Sequence, residues 1–202
     1  MRKRSLAVLT SALRGRSASV VFLITAFVCA LGWARARDPF TRIPFELRDG
    51  KGLRTAGMAV LPRPVSRRPV IIYLHGSNGD LLSDGTSLRP FAERGFAVVS
   101  LNYNKTNSLA FDRELGSLRD WLETQSWAET GSMAWIGASQ GAQMSLGCLL
   151  RNPAFEPRLY VRIGGGLTTG LPMEPTQVED NRAIRFNCPT VLVHGENDRI
   201  FP

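Results

Sequence analysis

The chain has 202 residues, enough for one domain with a buried core and hardly enough for two. Hydrophobic residues make up 44% and charged residues 21%, a composition that excludes wholesale disorder, a collagen-like repeat and a polytopic membrane protein. The formal charge of +8 suggests a nucleic-acid partner, but six of the 25 basic residues lie in residues 1–36, which contain no acidic residue. The other 19 basic and 17 acidic residues leave residues 37–202 at only +2 and without an aromatic-basic stripe, which argues against nucleic-acid binding.

Residues 1–36 are predicted to be a targeting segment. A basic stretch over residues 1–16 precedes an apolar run of 17 residues, 18–34, and Ala34-Arg35-Ala36 is a small-x-small triplet typical of signal-peptidase sites. Two interpretations stay open: a cleaved signal peptide, which makes the domain secreted or periplasmic, and an uncleaved anchor formed by residues 18–34, with the domain outside the cytoplasm. A buried helix of the folded domain is disfavoured, because no face of the run is polar enough for solvent. Membrane contact is expected only through this segment.

Residues 37–202 alternate predicted strands with predicted helices. The predicted strands are 55–61, 69–74, 96–101, 132–136, 159–163 and 190–193. The helical spacing of apolar residues predicts helices over 87–94, 111–125 and 142–150. Strands separated by helices imply an α/β fold with a mostly parallel, twisted sheet and helices on both faces. Ligands on such sheets bind at the carboxyl ends of the strands, where the glycine-rich segments of this chain fall.

One of these segments, Gly137-Ala138-Ser139-Gln140-Gly141, joins a predicted buried strand directly to a helix. A serine hydroxyl is a weak nucleophile that needs an exposed position, a nearby base and donors for the oxyanion it creates. A sharp strand-to-helix turn exposes Ser139, and Gly137 and Gly141 avoid collisions with neighbouring backbone. Ser139 is the candidate nucleophile and the backbone N–H of Gln140 a candidate oxyanion donor; an ordinary glycine turn with an incidental serine is the alternative.

A second segment, His75-Gly76-Ser77-Asn78-Gly79, follows the 69–74 strand. Gly76 lets the chain turn close to a reacting carbonyl group, and the backbone N–H of Ser77 is the other candidate oxyanion donor. His75 is interpreted as a structural residue that hydrogen-bonds the loop rather than as a base, because it ends a strand and precedes the nucleophile. A plain turn between strand and helix remains the alternative.

A third segment, residues 194–202, follows the last predicted strand. A carboxylate on such a loop can orient and stabilise a catalytic imidazolium. Asp198 is the candidate and Glu196 the weaker one, with a solvated acidic loop as the alternative. Residues 105–109 and 167–187 are candidates for lining a substrate pocket.

Together the three segments resemble the α/β-hydrolase superfamily over residues 69–202: YLHGSNG is similar to its oxyanion loop, WIGASQGAQMSL to its nucleophile elbow and HGENDRIFP to its acid loop. The resemblance is strongest to the dienelactone-hydrolase-like and prolyl-oligopeptidase-like branches, although dienelactone hydrolases have a cysteine nucleophile where this chain has Ser139. It implies a serine hydrolase that cleaves a small ester or peptide substrate through an acyl-enzyme, with no metal or organic cofactor, and the targeting segment predicts that this hydrolase is exported.

In this superfamily the catalytic histidine follows the acid in sequence. The two histidines of this chain, His75 and His194, both precede Asp198. We therefore expect residues 37–202 to be an incomplete α/β-hydrolase domain that lacks the last strand, its helix and the catalytic histidine, with little esterase activity of its own. The alternative is a non-catalytic, degenerate member that keeps the fold as a binding module.

Overall fold

The computed structural model describes residues 38–77, 79, 85–165 and 188–197. For residues 85–87 it describes the backbone alone. By its internal contacts the chain divides into Met1–Pro39 and Phe40–Pro202, and the sheet and its helices belong to the second unit. The predicted targeting segment, residues 1–36, and the acid candidate Asp198 lie outside the described residues. Among the helices of the described ranges, none has both the length and the apolar character needed to cross a membrane.

In the described ranges, seven strands form one sheet, and three α-helices and one 3-10 helix connect them. The strands are β1 (Phe40–Arg48), β2 (Arg54–Pro62), β3 (Arg68–Leu74), β4 (Ala97–Leu101), β5 (Ala128–Ala138), β6 (Leu159–Ile163) and β7 (Thr190–Val193). The helices are α1 (Gly85–Glu93), α2 (Ser108–Glu123) and α3 (Gln140–Arg151), and the 3-10 helix is Pro153–Phe155. Each predicted element has an observed counterpart.

Strand β1 has no counterpart among the predicted elements. Its even-numbered positions from 42 to 48 are exposed, while the residues between them face the protein, which is the period of two expected for a strand with one solvated face. Pro44 is tolerated because β1 lies at an edge of the sheet, where a missing N–H donor breaks no ladder on the open side.

The strand order is β1-β2-β4-β3-β5-β6-β7. The pairs β1–β2 and β2–β4 are antiparallel, and all other neighbouring pairs are parallel. The order reverses between β3 and β5, because the chain leaves β3 towards β4 on one side and builds β5, β6 and β7 on the other. Such a reversal opens a crevice at the carboxyl ends of the two strands, which is where open α/β sheets bind ligands.

The sheet is covered on both faces. Alternate residues of β3 belong to two different apolar clusters, Val70 and Ile72 to one and Ile71 to the other. The first cluster contains Leu118 of α2 and side chains of α3, and the second contains Leu88 of α1. Burial of each such side chain contributes about 1.5–3 kcal/mol. The predicted α/β fold, with a mostly parallel sheet and helices on both faces, is confirmed.

Candidate active site

Ser139 is the single residue between the end of β5 and the start of α3. Its φ is +52° and its ψ −119°, and no other non-glycine residue in the described ranges has a positive φ. A side chain held in this region costs about 1–3 kcal/mol and persists only where the surrounding structure enforces it. The Ser139 N–H donates to the carbonyl of Ile163 at 2.8 Å, and its own carbonyl accepts from the Ala142 N–H at 2.9 Å. The backbone of Ser139 is therefore fixed from both sides.

The two glycines of the motif lie where other backbone comes close. A Cβ at Gly141 would lie 2.1 Å from the carbonyl oxygen of Leu74, and one at Gly137 would lie 2.7 Å from the Cα of Ala142. Both contacts are with backbone, which cannot move aside as a flexible side chain does. The absence of side chains at both positions lets the start of α3 pass over the end of β3.

The segment after β3 lies directly against Ser139. A Cβ at Gly76 would lie 3.3 Å from the Cβ and 3.8 Å from the Oγ of Ser139. A hydrogen bond of 3.1 Å from the Gly79 N–H to the Gly76 carbonyl closes the turn of residues 76–79. Neither the N–H of Ser77 nor that of Gln140 donates to another group in the described part of the chain. The structure thus brings the predicted oxyanion segment and the predicted nucleophile together at the crevice between β3 and β5.

His75 is fully buried. Its Nδ1 lies 2.8 Å from the carbonyl oxygen of Gly76, and its ring stacks on Tyr103 with 4.8 Å between the ring centroids. A Cβ at Gly79 would lie 2.7 Å from the Cβ of His75, so the turn folds back over the imidazole. These contacts show that His75 hydrogen-bonds the loop, as expected of a structural residue.

The third predicted segment begins at the end of β7. Ser139 donates to Ile163 at the end of β6, and the Gly164 N–H donates to Val193 at the end of β7 at 2.9 Å. The strands β5, β6 and β7 therefore end side by side at the same edge of the sheet. Two strand spacings of about 4.8 Å place the end of β7 roughly 10 Å from Ser139. Glu196 is exposed in the turn that follows, while Asp198 lies beyond the described residues.

The loop of residues 102–107, after β4, links the two segments beside Ser139. The Lys105 ammonium donates to the carbonyls of Ser77 and Gly79, both at 2.8 Å, and the carbonyl of Lys105 accepts from the side-chain amide of Gln140 at 2.8 Å. The predicted pocket lining begins at Lys105, but no sequence pattern predicts these contacts, since their partners lie 26 to 35 positions away. The other predicted lining segment, 167–187, is outside the described residues.

The buried carboxylate of Glu114 hydrogen-bonds the loop of residues 102–107. Glu114 of α2 is 3% exposed and accepts from the hydroxyl of Thr55 at 2.7 Å and from the N–H of Asn104 at 2.8 Å. Burial raises the pKa of Glu114 above its ordinary value, and the two hydrogen bonds oppose that shift only in part.

A second buried residue, Tyr160, hydrogen-bonds the start of α3 next to Ser139. The Tyr160 hydroxyl is 2.7 Å from Ser145 Oγ and donates to the carbonyl of Ala142 at 3.0 Å, while Ser145 donates to the carbonyl of Gly141 at 2.7 Å. These two carbonyls belong to the first turn of α3, immediately after Ser139. Burial raises the pKa of Tyr160 to about 12, so its hydroxyl stays protonated and able to donate at ordinary pH.

The sequence matches no known protein-family model and no curated protein. The fold is similar to those of solved hydrolases. A bacterial heroin esterase is 18% identical with a TM-score of 0.56, over 71% of this chain and 51% of that one. A hyperthermophilic esterase from the archaeon Pyrobaculum calidifontis is 18% identical with a TM-score of 0.54, over 62% and 44%. A prolyl endopeptidase is 11% identical with a TM-score of 0.51, over 63% and 21%.

The chain thus spans about half or less of the length of these solved proteins. Identities this low establish the fold alone.

Proposed function

We propose that this chain, which has the α/β-hydrolase fold, carries the nucleophile of a serine hydrolase that cleaves an ester or peptide bond through an acyl-enzyme. The observation that carries the proposal is Ser139 at φ +52°, between β5 and α3, with Gly76 against its side chain. Strain of this kind concentrates at functional sites, and the strand order reverses at the same place.

In the proposed reaction the Ser139 oxygen attacks the substrate's carbonyl carbon and its proton passes to a base. The negative charge that develops on the carbonyl oxygen is stabilised by the N–H groups of Ser77 and Gln140, both of which lack another acceptor in the described ranges. The start of α3 adds the positive end of a helix dipole. Collapse of the intermediate releases the alcohol or amine, which takes the proton, and water then hydrolyses the acyl-enzyme. Asp198 is the proposed partner that orients the base.

The general base is proposed to lie outside these 202 residues. His75 is buried beneath the turn of residues 76–79. His194 follows β7, whose end is about 10 Å from the elbow by strand spacing, whereas proton transfer needs a heavy-atom distance near 3 Å. Without a base, Ser139 is an ordinary alcohol, so the chain alone is expected to hydrolyse esters only slowly.

An exogenous base tests this proposal. The purified chain is assayed against p-nitrophenyl acetate over a range of imidazole concentrations, beside the variants Ser139→Ala and Ser126→Ala. Ser126 is exposed and remote in sequence from the motif, which makes it the matched control. We expect an imidazole-dependent rate above that of imidazole in buffer, lost in Ser139→Ala and kept in Ser126→Ala.

Either of two results contradicts the proposal. Imidazole-dependent turnover that survives Ser139→Ala would exclude Ser139 as the nucleophile. Full turnover without imidazole that depends on Ser139 but not on His75 or His194 would exclude the need for a further base.

The alternative function is a non-catalytic binding protein with this fold. The same placement of the two histidines supports it, since the proposed scheme assigns neither of them as the base of Ser139. It predicts no Ser139-dependent rate at any imidazole concentration, so the assay separates the two functions.

Export is also proposed, from the sequence of residues 1–36. A cleaved signal peptide gives a secreted or periplasmic domain, and an uncleaved segment gives a domain anchored by residues 18–34 outside the cytoplasm. Amino-terminal sequencing of the protein recovered from a membrane and a soluble fraction tests this. A mature terminus near residue 37 in the soluble fraction identifies cleavage, and an intact terminus confined to the cytoplasm would contradict export.

A further inference from the structure

We infer that Lys105 is a positioning residue that keeps the two proposed oxyanion donors in the relative position at which both can bind one oxygen atom. This inference rests on the proposed hydrolase function. Lys105 contacts both residues whose N–H groups are proposed as donors. Its ammonium binds the carbonyl of Ser77, and its carbonyl accepts from the side chain of Gln140. Ser77 follows β3 and Gln140 follows β5, so their relative position depends on what links the two loops.

The ammonium group also closes the turn that carries Ser77. It donates to the carbonyls of both Ser77 and Gly79 at 2.8 Å. Among the described residues of this turn, the Gly79 N–H also donates to the Gly76 carbonyl at 3.1 Å. A charged donor bridging two carbonyls fixes the orientation of the adjoining peptide groups more strongly than a neutral one. The lysine therefore restrains the peptide plane next to the Ser77 N–H.

The backbone of Lys105 is itself held, which distinguishes it from an ordinary surface lysine. The preceding residue, Asn104, donates its N–H to the buried carboxylate of Glu114, and its side-chain oxygen accepts from the N–H groups of Thr106 and Asn107. Tyr103 is buried and donates to the carbonyl of His75. The lysine side chain loses conformational entropy when it binds the turn, but its backbone is already held and adds little further loss.

This arrangement assigns Lys105 a role in the rate of the chemical step. Oxyanion donors act on charge that exists only in the transition state, so their displacement lowers kcat and leaves KM nearly unchanged. In this scheme Lys105 acts through Ser77 and Gln140, and the turn occupies two of its three N–H bonds.

Two measurements on the full chain test the inference, with Lys105→Met, Lys105→Arg and the exposed-site control Lys51→Met. The first is amide hydrogen exchange of Gly79 by NMR, which needs no activity. The second is the imidazole-supported, Ser139-dependent hydrolysis of p-nitrophenyl acetate. In Lys105→Met we expect Gly79 exchange to rise about tenfold and kcat to fall about tenfold with KM within twofold, the scale of one lost charged hydrogen bond.

Lys105→Arg is expected to recover part of both losses, because a guanidinium can donate to both carbonyls, and Lys51→Met is expected to change neither. Unchanged Gly79 exchange in Lys105→Met would overturn the inference, as would faster exchange with kcat unchanged. A wild-type chain with no Ser139-dependent turnover would instead refute the hydrolase function, and the exchange data would then decide alone whether Lys105 holds the turn.

Discussion

Gly76 and Ser139 are 63 positions apart in the chain, yet a Cβ placed on Gly76 would lie 3.3 Å from the Cβ of Ser139. The parallel pairing of β3 with β5 produces this contact, since Leu74 and Gly137 are register partners at the ends of the two strands. The polypeptide leaves the sheet just after the end of each of these strands. A methyl group at residue 76 would therefore occupy the space beside the Ser139 side chain, through which we expect a substrate carbonyl to reach the serine oxygen.

Gly76→Ala is expected to reduce reactivity without unfolding the protein. The added methyl would lie 3.3 Å from the Cβ of Ser139, a tight contact that a shift of a few tenths of an ångström relieves, so the free energy of unfolding should fall by only about 1 kcal/mol. The imidazole-supported rate of Ser139 should fall about tenfold or more, because the methyl displaces the reacting carbonyl. Ser77→Ala is the control, since it keeps the backbone N–H. Equal rates for Gly76→Ala and wild type would show that substrate does not approach from this side.

Gly141→Ala should instead act on folding. Its Cβ would lie 2.1 Å from the Leu74 carbonyl oxygen and 2.6 Å from that of His75. Overlap with fixed backbone outweighs the gain of about 1 kcal/mol in helix propensity, so we expect a loss of about 3 kcal/mol or more in urea unfolding followed by circular dichroism. Gly131→Ala is the matched control, with no atom within 4 Å of the added Cβ. Two variants of equal stability would contradict the close approach of α3 to β3.

Much of this fold follows from local patterns. The apolar runs of β3 and β4 and the helical spacing in α2 predict their elements, because each buries a face set by its own periodicity. The edge strand β1 escapes prediction, since Pro44 interrupts a pattern otherwise typical of a half-exposed strand. The turn chemistry around Ser139 is also visible in sequence, because only small residues at positions 137 and 141 permit the backbone contacts that the structure shows.

The residues that support the candidate site could not be predicted from the sequence. Lys105 hydrogen-bonds the turn after β3, Glu114 hydrogen-bonds the loop that carries Lys105, and Tyr160 hydrogen-bonds the first turn of α3. A lone lysine or a carboxylate on a helix is usually a solvated surface residue, and no periodicity marks the exceptions. Their roles depend on which strand ends become neighbours, and that is decided by the order of the whole sheet.

Tyr160→Phe should destabilise the first turn of α3. The substitution removes the donor to the Ala142 carbonyl and a partner of Ser145 Oγ. We expect a loss of about 1–2 kcal/mol in the free energy of unfolding, the usual cost of a buried hydrogen bond. Because burial raises the pKa of Tyr160 to about 12, the loss should be the same at pH 6 and at pH 9 in urea titrations. A loss confined to one of these pH values would contradict a protonated, donating hydroxyl.

Glu114→Gln tests the buried carboxylate behind the Lys105 loop. Burial raises the folded-state pKa of Glu114 above the value near 4.5 expected when unfolded. The folded protein then holds the proton more tightly than the unfolded chain. The free energy of unfolding of the wild type therefore falls as the pH rises above about 4.5, where the unfolded carboxyl ionises first. Glutamine keeps an acceptor for the Asn104 N–H and does not ionise.

The free energy of unfolding of Glu114→Gln should therefore increase relative to wild type between pH 4 and pH 7, by on the order of 1 kcal/mol. Urea unfolding at several pH values measures this difference. Glu123→Gln, at a carboxylate with 57% of its side chain exposed on the same helix, is the control and should stay within about 0.5 kcal/mol of wild type. A relative stability of Glu114→Gln that falls as the pH rises would mean that the hydrogen bonds from Thr55 and Asn104 outweigh burial, because those two contacts favour the ionised carboxylate.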